Sequence, residues 1–495
     1  MTFNAEQQAL YDRVTSLGFS KLLVLGPGGT GKSYSLCKAI SEVVRAGTKD
    51  VILCAPTHMA RLNLLGKLDS DVQHLVETAT VASLLQKFAI DREDGTKQFT
   101  QGKGDKIDDY TLIALDECSM ISEEDYLLFM TSKAKVIFTG DMAQLPPVMA
   151  KSCETKMNSH TGTGNLEVMR LVQQMRQQGV IHAAAERNRQ QVWFPEETEY
   201  GEGGEAIIVH NTDREMVDTM ISHVINDSRG YSAIHQYRYI TYKNDQVREV
   251  GKRVRDKALE SYFGYDPSAI PFVVGEIIMM RENKKNIGYN GELVEVISVK
   301  KDNRYGMYPW DTYELSLKGS LGTGVIRTIP PCQYPHMDGY MSALQSKLRK
   351  HQIAKELTSA SAVLAEIKRI RAHWAMTQYP YAVTTHKSQG STIENVYLNT
   401  LSFSRAPSRR ALLYVGISRA SKSLHTVKIP ASLKLSGVEV NKEYRKTRAA
   451  YEDLTGESYR KVVRFLAIST GTWEGKKIAT EYLQARIDDI LQENE

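Results

Sequence analysis

The sequence is poor in the features that would mark an exported or membrane protein. Its five cysteines, Cys37, Cys54, Cys118, Cys153 and Cys332, are scattered through 495 residues without a C-x-x-C pair. Neither a zinc site nor a disulfide framework is indicated, and reduced thiols are expected. No run of eighteen apolar residues occurs, and the N-terminal MTFNAEQQALYDRV mixes acid and amide groups without a long apolar core. Neither a membrane span nor export is therefore expected, which leaves a cytoplasmic protein. An excess of one charge is missing too: 63 Lys and Arg against 58 Asp and Glu give a formal charge of +5. That balance permits a polyanionic partner without demanding one. With 42% hydrophobic and 24% charged residues the composition is that of an ordinary folded protein, too long for one core and predicting about three or four domains.

What is present starts with residues 22–25, Leu-Leu-Val-Leu, an apolar run that predicts a buried parallel strand. It leads straight into GPGGTGKS at residues 26–33, a full match to the phosphate-binding pattern G-x-x-x-x-G-K-[ST]. Gly26, Gly28, Gly29 and Gly31, with Thr30 among them, let the backbone wrap a triphosphate with its N–H groups inward. The helix predicted over 33–45 presents its positive end to the same anion. Lys32 supplies a mobile charge for the outer phosphates and Ser33 a hydroxyl for Mg²⁺. An NTP with Mg²⁺ is the expected cofactor set.

Other predicted strands end in polar residues, and in an open α/β sheet those ends form the binding crevice. Residues 51–55 run into Thr57, His58 and Arg61, which read either as ligand contacts or as a helix cap and solvated helix start. Residues 111–115 end at Asp116-Glu117, where one carboxylate suits the Mg²⁺ shell and the other a water to be activated. Residues 136–139 lead to Gln144, held on a loop by Pro146-Pro147 and able to report a terminal phosphate. Gln7, before the first strand, reads as an adenine contact or a surface glutamine. Between 86 and 108 the rhythm breaks around Asp94-Gly95, which predicts a protruding hairpin with Phe99 near its tip, or a loop.

After a polar connector beyond residue 150, a second α/β half without a phosphate loop begins near 176, with strands predicted at 237–240 and 396–398. Short β-type runs between 265 and 375 suggest a small barrel, followed by a basic helix over 344–374. Residues 431–495 read as a helical tail. Arg176 and Arg419 are candidate arginine fingers acting on the γ-phosphate. Thr57, His58 and Arg61 on one side and Thr384, Thr385, His386 and Lys387 on the other mix the hydroxyls, imidazoles and cations that gripping a single strand requires.

In order, the QQ pair, GPGGTGKS, APTHMAR, LDECSM, GDMAQLPPV, the Arg176 segment, THKSQGST and LLYVGISRA resemble the motif series of superfamily 1 helicases, closest to the RecD-like, Dda-type branch. The likeness covers roughly residues 1–430. It implies an α/β fold of two RecA-like parallel-sheet domains, with a hairpin inserted in the first and an SH3-like β-barrel plus helices in the second. The implied division is 1–175 with the hairpin at 85–110, then 176–264 with 376–430, the insertion at 265–375, and an extension at 431–495. It also implies that Gln7 reads adenine, that Lys32, Ser33, Asp116, Glu117, Gln144, Arg176, Gln389 with Gly390, and Arg419 form the ATPase site, and that Thr57, His58, Thr80, Thr385 and His386 contact DNA. Thr80-Val-Ala82 stands where such helicases usually carry Thr-Ile-His.

The activity expected is that of an ATP-dependent DNA helicase moving 5′ to 3′ on single strands, with a duplex fork as substrate and Phe99 splitting it. A monomer is expected, in the host cytoplasm if the gene is a phage's, serving replication, recombination or repair, with protein partners reached through the extension. The alternatives are a translocase that strips proteins from nucleic acid and an RNA helicase of the same superfamily.

Overall fold

The computed structural model describes residues 3–91, 97–100, 105–147, 150–173, 175, 179–266, 270–403, 406 and 408–429, with residues 447, 451, 483 and 484. The first half is built on six parallel strands in the order Glu77–Thr80, Val51–Ala55, Leu112–Leu115, Lys135–Gly140, Lys21–Leu25, Glu167–Arg170. Val51–Ala55 and Leu112–Leu115 are buried along their whole length. Helices cover both faces, which is why these strands are continuous apolar runs instead of alternating ones. One face packs against helices Ala5–Thr15 and Lys32–Arg45 through Leu10, Leu36 and Ile40, the other against Glu123–Thr131 through Tyr126 and Phe129. Leu25 lies opposite Gly140 and Arg170, so the turns that follow Leu25, Leu115 and Gly140 open at one sheet edge.

The second half repeats the plan. Its strands run Ala382–Thr384, Tyr237–Thr241, Ile393–Leu398, Ala420–Val427, Ala206–His210, all parallel, with Glu199–Tyr200 antiparallel at the edge. Two strands, Glu167–Arg170 and Ala206–His210, arise where the sequence suggested only a connector or nothing.

The chain leaves this sheet at the end of helix Asn244–Phe263 and returns at Ala382. The segment between holds an antiparallel sheet ordered Gly322–Thr328, Tyr313–Gly319, Leu293–Lys301, Ile277–Met280, Thr377–Gln378, with a further bridge between Thr328 and Ala375. Along Tyr313–Gly319 the residues Tyr313, Leu315 and Leu317 are buried and alternate with more exposed Glu314 and Ser316, the period-two pattern of a one-sided sheet. The single helix expected over 344–374 is instead two, Tyr334–Ile353 and Leu357–His373. Lys355 turns the chain between them at φ 58°, a conformation usually signalled by Gly or Asn. Arg255, fully buried, ties insertion to half: Nη2 donates to Glu276 Oε2 (2.8 Å) and to the Pro271 carbonyl (3.0 Å), Nε also bonds Glu276, and the guanidinium lies 4.8 Å from the Tyr379 ring centre.

In the first half Phe88–Asp91 and Lys97–Thr100 form the expected hairpin; Asp94-Gly95 lies outside the described residues. Phe99 pairs with Ala89, two positions before the Asp91–Lys97 pair that adjoins the turn. The extension predicted at 431–495 also lies outside the described residues but for four positions, where Tyr451 and Leu483 are buried together.

Candidate nucleotide and nucleic-acid site

At two positions of the phosphate loop the surroundings require glycine. A Cβ on Gly26 would stand 2.2 Å from the Leu171 carbonyl oxygen, and Gly31 adopts φ 80° with Gln7 Nε2 at 2.4 Å from the place of its Cβ. Helix Lys32–Arg45 begins at Gly31 without a side-chain cap, which leaves its first N–H groups for an anion. Lys32 Nζ donates to the carbonyls of Gly26 (2.6 Å) and Pro27 (2.8 Å). Burial pushes the Lys32 pKa down, against the pull of Asp141, Asp116 and Glu117. Gln7 is buried beneath the loop: Nε2 donates to the Thr30 carbonyl (3.1 Å) and Oε1 accepts from Asn4 N–H (3.2 Å) in a capping box.

Past Leu115, Asp116 Oδ2 accepts from Ser33 Oγ at 2.7 Å, while Oδ1 accepts from the Thr139 hydroxyl and from Glu117 N–H (3.0 Å). Glu117 follows at φ 56°, ψ 45°, a left-handed conformation that costs a non-glycine about 1–3 kcal/mol and commonly marks a functional position. Burial, and then Asp116, push the Glu117 pKa up; Arg419, Lys32 and a hydrogen bond from Gln389 act against that. The Ser33 hydroxyl and Asp116 carboxylate form an oxygen donor pair suited to Mg²⁺, which usually takes one or two protein oxygens and completes its shell with phosphate and water. No cluster of three or more His, Cys, Asp or Glu among the described residues would hold a metal unaided.

The second half closes the cleft. Gly390, at φ 78°, with Ser391 and Thr392, lines it just before strand Ile393–Leu398 begins, and Arg419 lines it just before Ala420–Val427. Arg419 is held by the Val415 and Ser391 carbonyls (both 3.1 Å) and by Ser418 Oγ (2.9 Å). Gln389 Nε2 donates to Gln144 Oε1 across the junction at 3.1 Å. The cavity between the halves, about 630 Å³, brings Gln7, Lys32, Ser33, Asp116, Glu117, Gln144 and Arg419 to one space. Arg176 lies outside the described residues.

Three residues that the sequence reading did not single out belong to this junction. Buried Tyr414, on helix Arg409–Ile417, donates its hydroxyl to Asp141 Oδ2 (2.5 Å) and accepts from Gly28 N–H (3.3 Å). Arg189 Nη2 lies 3.3 Å from Asp141 Oδ1. The available signals were modest: Asp141 is the acid of GDMAQLPPV and Tyr414 the hydroxyl of LLYVGISRA.

The residues expected to grip the strand fall into two groups. Thr57 and Thr80 each cap the helix that follows, accepting from Ala60 N–H and Ser83 N–H at 3.2 Å, so the capping role holds for both. His58 stacks on Tyr289 of the insertion (4.8 Å between centres, 16° between planes) and its Nε2 lies 3.0 Å from Asn283 Nδ2. Arg61 lies 4.9 Å from the same Tyr289 ring and donates to Thr78 Oγ1 (2.9 Å). Burial and then Arg61 lower the His58 pKa. On the second half, Thr384 and Thr385 are buried, Thr385 Oγ1 donating weakly to the Thr241 carbonyl at 3.4 Å. Burial lowers His386, and burial with nearby Arg281 pushes Lys387 down to about 8. Asn63 Nδ2, on the helix that carries His58 and Arg61, donates across to the Gly390 carbonyl of the second half (3.1 Å). The Phe99 side chain falls outside what is described.

Residues 2–198 match the AAA domain family, and residues 379–427 match the UvrD-like helicase C-terminal domain. The ATP-dependent DNA helicase dda of Enterobacteria phage T4 is 22% identical over 435 residues, covering 80% of this chain and 91% of that protein. The two family matches fall one in each half, an AAA domain in the first and a UvrD-like helicase C-terminal domain in the second. Uncharacterized protein R530 of Acanthamoeba polyphaga mimivirus is 31% identical over 166 residues, which are 30% of this chain and 34% of that protein. The solved structure of Pif1 helicase from Bacteroides in complex with ADP-AlF3 and ssDNA is similar at 17% identity and a TM-score of 0.48, over 90% of this chain and 98% of that one. In this chain the cavity that carries the phosphate-loop residues lies between two RecA-like sheets.

Proposed function

We propose that this ATP-dependent DNA helicase moves 5′ to 3′ along single-stranded DNA and opens a duplex fork ahead of it. The observation that carries the reading is that one nucleotide cleft is assembled from both halves, joined by Gln144 to Gln389 and Gly28 to Tyr414. A cleft of that kind ties closure of the halves to the nucleotide, and alternate gripping by two halves turns closure into movement. Lys32 holds the outer phosphates, and Glu117 orients the attacking water and accepts its proton. Gln144 and Gln389 sense the terminal phosphate, Arg419 with Arg176 meets the charge developing on it, and Gln7 reads the adenine edge. When bound by Ser33, Asp116 and the phosphates, Mg²⁺ supplies charge neutralisation at the β- and γ-oxygens.

In this reading residues 1–175 form the first RecA-like domain with its hairpin at 85–110. Residues 176–264 and 376–430 form the second, 265–375 an SH3-like insertion with helices, and 431–495 an extension for protein partners. The strand lies along Thr57, His58, Arg61, Thr80, Thr384, Thr385 and His386, with Phe99 at the fork. Among the described residues no helix is long and apolar enough to cross a membrane, and the monomer works in the cytoplasm, the host's if a phage encodes it, in replication, recombination or repair. The test is unwinding of a short duplex carrying a 5′ or a 3′ single-stranded tail, with ATP and Mg²⁺. Activity on the 5′-tailed substrate alone is expected. Activity on the 3′ tail alone overturns the direction. ATPase activity stimulated by DNA without unwinding of either indicates a translocase that displaces bound proteins, and stimulation by RNA over DNA indicates an RNA helicase.

A further inference from the structure

Between the phosphate loop and the loop that carries Gln144 stands one hydroxyl from the opposite half. Tyr414 Oη donates to Asp141 Oδ2 at 2.5 Å and receives Gly28 N–H at 3.3 Å. Asp141 in turn shapes its own loop: Oδ1 accepts from Ala143 N–H (3.1 Å), and its carbonyl accepts from Gln144 N–H (3.0 Å). Gln144 then meets Gln389 of the second half. Tyr414 is buried on the helix whose next turn leads to Arg419, and Arg419 Nε bonds back to the Val415 carbonyl at 3.1 Å. One rigid element thus carries the arginine of the cleft and the hydroxyl that touches both loops of the other half.

We infer that Tyr414 is a positioning residue for hydrolysis, whose hydroxyl holds the phosphate loop and the Asp141–Gln144 loop in register with the helix that delivers Arg419. The inference rests on the proposed ATPase site and adds a residue to it. A phenol suits this place because one oxygen both donates to a carboxylate and accepts from a backbone N–H. A hydrogen bond to a charged, buried partner is also among the stronger ones. Tyr414 acts through Asp141 and Gly28, so its loss misaligns the cleft without removing a group that touches the phosphates.

The full-length chain carrying Tyr414→Phe tests this, because phenylalanine keeps the packing and removes the oxygen alone. The expected result is a fall of about tenfold in kcat for ATP hydrolysis at saturating single-stranded DNA. Affinity for a fluorescent ATP analogue without DNA should stay within about twofold, and the melting midpoint within about 2 °C, of wild type. Asp141→Asn should lower kcat as well, and the double variant should lose less than the product of the two single losses, the mark of residues that act as a pair. Wild-type kcat in Tyr414→Phe, losses that multiply in the double variant, or a melting midpoint that falls in step with kcat each overturn the inference. Lys32→Ala run in parallel separates the two claims. Turnover surviving in Lys32→Ala defeats the ATPase site itself, whereas an inactive Lys32→Ala beside a fully active Tyr414→Phe defeats only the role of Tyr414.

Discussion

The two α/β halves share a strand plan yet meet the nucleotide with opposite ends of it. In the first half the groups that line the cleft follow the carboxyl ends of strands: the phosphate loop after Leu25, Asp116 and Glu117 after Leu115, Asp141 and Gln144 after Gly140. In the second half they precede the amino ends: Gly390 to Thr392 before Ile393, and Arg419 before Ala420. Its carboxyl end, after Thr384, instead leads to Thr385 and His386, the expected strand contacts. The chemistry divides accordingly, with backbone N–H groups, a lysine and carboxylates on one side and an arginine, a glutamine and a tyrosine hydroxyl on the other. In the proposed function one half binds the nucleotide, and the other responds to what is bound.

Removing the binding half's charge gives the largest effect. Lys32→Ala should cut DNA-stimulated ATP turnover by about 10³-fold or more, measured as phosphate release. Glu117→Gln should lose hydrolysis to a similar extent while still binding ATP, because the amide keeps the shape and loses the base. Burial and Asp116 raise the wild-type Glu117 pKa, so turnover should fall as pH drops through that raised value, at a higher pH than an ordinary carboxylate would show. On the responding side, Arg419→Ala should lower kcat by about 10³-fold and leave affinity for a fluorescent ADP analogue near wild type. If Arg419→Ala abolished nucleotide binding instead, the division between a binding and a responding half would fail.

A stability measurement tests where the insertion belongs. Arg255→Met strands the Glu276 carboxylate in a fully buried site, which should cost about 3–5 kcal/mol. The loss should appear in chemical unfolding followed by tryptophan emission. Of the four tryptophans Trp193 lies in the second half, Trp310 and Trp374 in the insertion and Trp473 outside the described residues, whereas the described first-half sheet carries none. Nucleotide binding by the first half should persist to higher denaturant than the emission change.

The asymmetry also explains what was legible in the sequence. Strands buried on both faces announce themselves, so residues 22–25, 51–55 and 112–115 were readable, and the loops at their carboxyl ends follow from the rule that such ends bind ligands. That rule is silent on strand beginnings. Gln389 is legible only through its motif, and nothing local sets Tyr414 apart from its apolar neighbours Leu413 and Val415. Asp141 carries no local signal because its partners in the other half come from residues 189 and 414, a pairing that only the fold brings together. The break at Lys355 went unseen because neither glycine nor asparagine marks it. Nor did any local pattern announce that Tyr289 would cover His58 and Arg61, since 225 residues separate Asn283 from the His58 it meets.

The smallest expected effect comes from acid, and it separates the halves by their cores. No strand of the first sheet contains a histidine, whereas the second sheet carries His210 and His425 on adjacent strands, their rings stacked with Nε2 and Nδ1 3.0 Å apart. His223 stands edge-on to His425 and hydrogen-bonds Tyr397, whose ring stacks on His425; Glu215 lies 3.7 Å from His210. Burial, with His210 and His223 adding to it, pushes His425 down to about 3. Burial lowers His210 and His223 as well. A depressed histidine pKa means that between about 6.5 and about 3 the unfolded chain takes up protons that the folded core refuses. Stability of the second half should therefore be full above pH 6.5 and decline as pH falls toward 3. Amide hydrogen exchange at pH 7.5 and pH 5.5, corrected for the intrinsic rate, should show protection falling in strands Ala206–His210 and Ala420–Val427 and unchanged in Val51–Ala55 and Leu112–Leu115. His425→Phe should flatten that dependence. Equal loss of protection in both sheets would mean that the halves unfold as one unit, and the contrast between them would then belong to the cleft alone.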